Sequence, residues 1–182
     1  MALFAFIAGD AWKVLQPHQS HDVGEVNGEA LSAQDYQNLV EEYTEVVKFS
    51  RGTSALTDEE NNQIKDEVWR NYVNNKLIEN EAKKLGISVS KAEIQAIIDA
   101  GVHPMLQQTP FRNPQTGAFD KDMLKKFLVD YSKMNTAQMP AQYAEYYQSM
   151  YKFWSFLEKQ LIQNRLAEKY QALVSKSLFS NP

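Results

Sequence analysis

Cysteine is absent from this 182-residue chain. That absence removes disulfides, thiolate catalysis and cysteine-ligated zinc, and it fits either the cytosol or an envelope compartment. Histidine is nearly as scarce, with three copies, two of them in His18-Gln19-Ser20-His21-Asp22. A His-x-x-His-Asp grouping could ligate a metal on one helical turn, but Pro17 before it and Gly24 after it suit a flexible joint better, so no metal site is expected. Long basic runs are missing: 19 basic residues face 23 acidic ones for a formal charge of -4, which sets nucleic acid aside as a partner. Gly-rich phosphate cradles are missing too. Gly24 and Gly28 lack the neighbouring glycines and lysine of nucleotide loops, and no β-α-β pattern presents them.

The chain also lacks an apolar run long enough to cross a bilayer, for which roughly 20 residues are needed. Its opening, Ala2 to Ala8, is apolar but turns polar at Asp10 and Lys13, without the basic leader and cleavage site of a signal peptide. Two readings of it stay open. One is an amphipathic helix with Phe4, Ile7, Ala11 and Val14 on one face; the other is the exit end of a membrane anchor cut away upstream.

What is present is helical punctuation. Hydrophobic residues at 43% and charged residues at 23% suit a folded chain with one main core. Ser32 with Asp35, Thr57 with Glu60 and Ser90 with Glu93 each set a hydroxyl three residues ahead of an acid, the spacing of a capping box. Gly52, Gly86 and Gly101 fall where those helices should stop. Helices are therefore predicted from about Ser32 to Arg51, Thr57 to Leu85 and Ser90 to Ala100. The middle one carries a broad apolar face of Ile64, Val68 and Tyr72 widened by Trp69, Val73 and Leu77, and Asp66 with Arg70 and Glu79 with Lys83 stand at i,i+4 spacing. Before them, Val23 to Leu31 with its Asn27-Gly28 pair predicts a minute hairpin or extended turn.

From Val102 to Phe119, Pro104, Pro110, Pro114 and Gly117 interrupt helix, and Met105, Leu106, Phe111 and Phe119 are available to pin a structured loop. Asp120 caps a predicted helix to about Met134 with Met123, Phe127 and Tyr131 on one face. A last long helix follows Pro140 toward Leu178. No solenoid repeat, low-complexity tract or clear interdomain linker is visible. The expected class is all-α, an irregular multi-helix domain with a small N-terminal β-hairpin or turn, organised as residues 1–21 (anchor stub or helix plus linker) and residues 22–182 (helical domain).

Catalysis finds no support. His103 precedes Pro104 without an adjacent nucleophile or orienting acid, and Glu41, Glu42 and Glu45 read as a solvated acidic face. No catalytic residue and no cofactor is expected. The feature with functional content is a surplus of aromatic and methionine side chains. On the last helix Tyr147, Trp154 and Leu161 follow the central stripe and are expected in the core. Tyr143, Tyr146 and Tyr151, with Met139 just ahead, exceed what one packing face can hide, so core and open surface both remain possible. Met105, Phe111, Met139, Tyr143, Tyr146 and Tyr151 are the candidate peptide-binding residues, able to line an adaptable apolar groove for extended chains.

Three stretches resemble one family. Val23 to Val40, VGEVNGEALSAQDYQNLV, looks like the opening of a SurA-type N-terminal chaperone domain, a Val-x-x-Val-Asn-Gly-Glu turn and then a capped helix. Thr109 to Leu128, TPFRNPQTGAFDKDMLKKFL, resembles the Pro-x-Phe and Gly-x-Phe element of the same domain, especially in membrane-anchored periplasmic foldases of the PpiD type. The last helix, with YKFWSFLEKQLIQNRL, is similar to the helix leading toward the prolyl-isomerase module. The resemblance covers about Asp22 to Phe179. It implies an ATP-independent periplasmic holdase for unfolded or outer-membrane-bound polypeptides, excised from a peptidyl-prolyl isomerase whose parvulin module is not in this chain. In the full-length parent it implies anchoring to the inner membrane, with Ala2 to Ala8 as the tail of that anchor, the chain's one expected link to a membrane. A homodimer is a further expectation if an apolar face is left open. The competing class is a helical adaptor or dimerisation domain that binds one folded partner.

Overall fold

The computed structural model describes residues 22–26 and 28–179. The described residues are all-α apart from one two-stranded hairpin, β1 (Asp22–Val26) and β2 (Glu29–Ser32), paired antiparallel with Val26 opposite Glu29 and Gly24 opposite Leu31. Five α-helices follow among the described residues: α1 (Ala33–Arg51), α2 (Asp58–Lys84), α3 (Lys91–Ala100), α4 (Lys121–Lys133) and α5 (Ala141–Phe179). Their bounds fall within one or two residues of the sequence expectation. The two readings of the opening segment, and His18 and His21, lie outside the described residues.

Local chemistry explains the agreement. The Thr57 N–H donates to Glu60 Oε2 at 2.8 Å while the Glu60 N–H donates to Thr57 Oγ1 at 3.2 Å. Ser90 and Glu93 repeat the exchange at 2.9 and 3.2 Å. At Ser32 only half of the box forms: the Asp35 N–H donates to Ser32 Oγ at 3.1 Å, and the aspartate binds the Ser32 hydroxyl at 2.7 Å instead of the backbone behind it. Aspartate is one methylene shorter than the glutamate that completes this motif. At the other ends, Gly52 (φ 64°) and Gly101 (φ 67°) adopt the left-handed turn that closes α1 and α3. Thr57→Ala is expected to cost about 1 kcal/mol of stability, read as a lower urea midpoint with unchanged slope.

Three long helices form the frame. Tyr36 Oη donates to the Lys65 carbonyl and Tyr43 Oη to Glu67 Oε1, both at 2.9 Å, which locks α1 to α2. Tyr43 stacks on Phe156 at 5.4 Å and Phe49 tilts against Phe153 at 5.5 Å, joining α1 to α5. Gln163 Nε2 reaches Glu79 Oε1 at 2.7 Å, joining α2 to α5. The hairpin rests on α2 so closely that a Cβ on Gly24 would stand 2.3 Å from the Trp69 ring.

Two expectations on α2 need correction. Ile64 and Val68 are buried and Trp69, Tyr72 and Val73 half-buried, but Leu77 is exposed. With Tyr36 against Trp69 and Arg51 paired to Glu60, α1 runs antiparallel and begins opposite Trp69, so the later turns of α2 have lost that neighbour. The expected side-chain pairs are also replaced. Arg70 Nε donates to the Asp66 carbonyl at 3.4 Å, and Glu79 turns to Gln163 and to Lys76, the latter at 3.8 Å, rather than to Lys83.

The remaining face of α5 is covered by α3, the 101–120 loop and α4. Ile94, Ile98, Leu106, Phe111 and Leu124 join Val46 and the α5 residues Met150, Phe153, Trp154, Leu157 and Leu161 in one core cluster. Leu106 (0% exposed) and Leu161 (1%) are its most enclosed members. The loop is ordered as expected: Leu106 and Phe111 are buried, and Met105 and Phe119 pack against the cluster. Backbone bonds close it, from the Asn113 N–H to the Ala118 carbonyl and from the Asp120 N–H to the Phe111 carbonyl, each 2.9 Å. The Arg112 guanidinium binds the carbonyls of Thr109 and Gln107 from inside the turn.

Candidate peptide-binding surface

The buried stripe of α5 is Met150, Trp154, Leu157 and Leu161, a spacing of four, three and four that keeps one side of the helix inward. Of the tyrosines in its first turns, Tyr146 and Tyr151 stand off that stripe, while Tyr143, seven residues before Met150, continues its line past the buried part. Tyr143 is 59% exposed, Tyr146 51% and Tyr151 41%.

Tyr146 and Tyr151 do not stand alone. Tyr151 stacks on Tyr131 of α4 with ring centroids 4.5 Å apart and planes 12° from parallel. Tyr131 stacks on Phe127 at 5.8 Å, and Phe127 in turn on Tyr147 at 6.4 Å. Below them Phe127 meets Phe111 at 5.2 Å, and Phe111 meets Trp154 edge-on at 6.2 Å. Tyr146 extends the group toward α1, touching Phe49 at 6.1 Å and Tyr147 at 5.8 Å. An aromatic ladder thus climbs from the core to solvent and ends in rings with one face open. Partial burial, and next the neighbouring Tyr151, push the Tyr131 phenol upward, so it stays neutral through the physiological range.

The six residues nominated from sequence divide accordingly. Tyr146 and Tyr151 belong to the ladder's outer end. Tyr143 and half-buried Met139 lie at and just before the start of α5. Phe111 is 4% exposed and belongs to the core, supporting the rings above it rather than facing solvent. Met105 lines a different feature, a cleft of about 250 Å³ between α1 and α5 with Val47, Arg51, Phe153 and Phe156. Of the α5 residues expected inside, Trp154 and Leu161 are buried and Tyr147 is half-buried.

Sequence reasoning placed Phe127 and Tyr131 on one helix face without nominating them; the stacking of α4 on α5 makes them part of the surface. It also missed a groove of about 430 Å³ where Ile162 and Leu166 of α5 face Lys83, Ile87 and Val89.

The charged groups serve the scaffold. Glu42 pairs with Lys159 at 2.6 Å and Glu45 with Lys48 at 3.4 Å, and His103 Nδ1 accepts from the Met105 N–H at 3.2 Å. No cluster of three His, Asp or Glu residues able to hold a metal occurs among the described residues. Glu93 ties α3 to α5: besides capping Ser90 it binds Lys169 at 3.0 Å and Arg165 at 3.3 Å. The Ser90 N–H, then Lys169, holds its carboxyl down at about 2, against 4.5 ordinarily. A depressed carboxyl contributes stability that is complete above its unfolded value and fades as pH falls toward the folded one. Glu93→Gln should therefore flatten the decline of unfolding stability between pH 4.5 and about 2, measured by urea titration. Glu158 behaves oppositely: burial pushes its carboxyl upward.

A family model described as SurA-like N-terminal domain matches residues 1–128. The match spans well over half of the chain, and the chain belongs to this family, which is associated with chaperone-like function. No curated protein and no solved structure matches the chain. No helix among the described residues is long and apolar enough to cross a membrane.

Proposed function

We propose that this SurA-like domain is an ATP-independent holdase module that grips unfolded or unassembled polypeptides in the periplasm. The observation that carries the reading is the open end of the aromatic ladder, where Tyr146 and Tyr151 keep about half of their surface in water although each leans on buried or half-buried rings. Phenol rings held this way offer apolar area at little entropic cost and remain soluble through their hydroxyls. A client binds by reversible burial of its own apolar side chains there. The protein of origin, on this reading, is an inner-membrane-anchored foldase of the PpiD type, with prolyl isomerisation performed by a separate parvulin-type module.

Aggregation of a denatured outer-membrane protein diluted from urea tests the proposal. Light scattering should fall by more than half at a near-stoichiometric ratio of the domain. Unchanged scattering, with no thermal shift on adding aromatic-rich peptides, would overturn it.

A further inference from the structure

Beyond the ladder, α5 carries a second apolar feature on the same side. At 100° per residue, Glu158 and Ile162 each lie within roughly 20° of Tyr151 around the helix axis, and Leu166 within about 60°. Tyr151 and Ile162 are similarly exposed, at 41% and 42%, and Ile162 with Leu166 forms one wall of the groove completed by Ile87 and Val89. Between these two apolar ends lie half-buried Ser155 and Glu158. No described residue hydrogen-bonds to the Glu158 carboxylate or pairs with it. The neighbouring cations are engaged elsewhere: Lys159 with Glu42, and Arg165 with Glu93 and Glu168.

We propose that clients lie along this face of α5 in extended form, with one apolar side chain on Tyr151, another in the Ile162–Leu166 groove, and a lysine or arginine between them on Glu158. The inference rests on the holding function and adds a client pattern to it. From Tyr151 to the groove is about 16–22 Å at 1.5 Å of helix rise per residue. An extended chain covers that span in about five to seven residues. An unpartnered carboxylate set between apolar walls favours a cationic client side chain, because a second carboxylate there would meet both repulsion and desolvation.

Fluorescein-labelled 14-residue peptides with two phenylalanines six positions apart, and lysine, glutamine or glutamate four positions after the first so that all three side chains share one face of the extended chain, test this by anisotropy with the full chain. The lysine peptide should bind about tenfold more tightly than the glutamate peptide. Glu158→Gln should reduce that ratio to near one, and Ile162→Ser should weaken all three peptides while leaving the lysine preference intact. Equal binding of the three peptides to the unaltered chain, or a preference that persists in Glu158→Gln at unchanged thermal stability, would overturn the pattern. If no peptide binds while a denatured outer-membrane protein is still held, the pattern falls and the holding function stands. If neither is held, both fall.

Discussion

Trp154→Ala is expected to destabilise the domain by about 3–5 kcal/mol, a substantial fraction of the roughly 5–15 kcal/mol that holds a typical domain folded. The indole is 3% exposed and sits where α5 meets the 101–120 loop and α4. Its loss removes apolar burial and the edge-on contact with Phe111 at 6.2 Å, and the void falls beneath the rings that carry the aromatic ladder. The loop above is tied down by its own backbone bonds and by Arg112, so it cannot collapse freely into the gap. Urea unfolding followed by far-UV circular dichroism measures the effect. A loss below about 1.5 kcal/mol would mean that α4 and the loop repack, and that the ladder is less rigidly founded than the ring contacts indicate. Tyr151→Ala, by contrast, vacates solvent rather than core and should cost far less.

Element ends were legible because their causes are local. Thr57 and Glu60 are three residues apart in any conformation, and the hydrogen bonds they exchange define a helix start without help from the rest of the chain. The partners of Glu79 were not legible for the opposite reason: Lys83 is its neighbour by spacing, but Gln163, 84 residues away, arrives only when α5 docks. The same distinction governs the candidate surface. Spacing alone placed Trp154 and Leu161 in the core, since a helix offers one neighbour a limited arc, and left Tyr143, Tyr146 and Tyr151 open between core and surface. It could not say that Phe111, in a proline-rich loop, turns inward beneath α4, or that Tyr131 pairs with Tyr151, because both depend on how the loop folds back on α5. The family resemblance read from the opening turn and the loop element was right at the level of the domain.

The arrangement also accounts for the choice of tyrosine over phenylalanine or leucine at the surface. Buried positions under the ladder are Phe111, Trp154 and Leu124, while its exposed rungs are Tyr146 and Tyr151, with exposed Tyr143 one turn before them. A phenol keeps its oxygen in water, which limits self-association of an open apolar face, and under the proposed holding function it would still offer its ring to a client.

Replacing those exposed tyrosines together, Tyr143→Ser with Tyr146→Ser and Tyr151→Ser, is expected to weaken client binding by about 100-fold. Each ring removed forfeits on the order of 1 kcal/mol of aromatic contact with the client, and three such losses total about 3 kcal/mol, slightly more than two factors of ten. Stability should suffer less than in Trp154→Ala. All three side chains are already mainly or substantially solvated, and the ring contacts given up inside the protein are Tyr146 with Phe49 and Tyr147, and Tyr151 with Tyr131. Surface stacking of this kind is worth roughly 0.5–1.5 kcal/mol per pair at most. Anisotropy titration of a labelled denatured client, run beside thermal unfolding of the same variant, separates the two effects. Weakened holding with a smaller fall in melting temperature than Trp154→Ala produces would assign the grip to these rings. Full holding by the triple variant would move it elsewhere, and the cleft that Met105 lines between α1 and α5 is then the surface to vary next, because it is the other apolar recess among the nominated residues and shares no ring with the ladder.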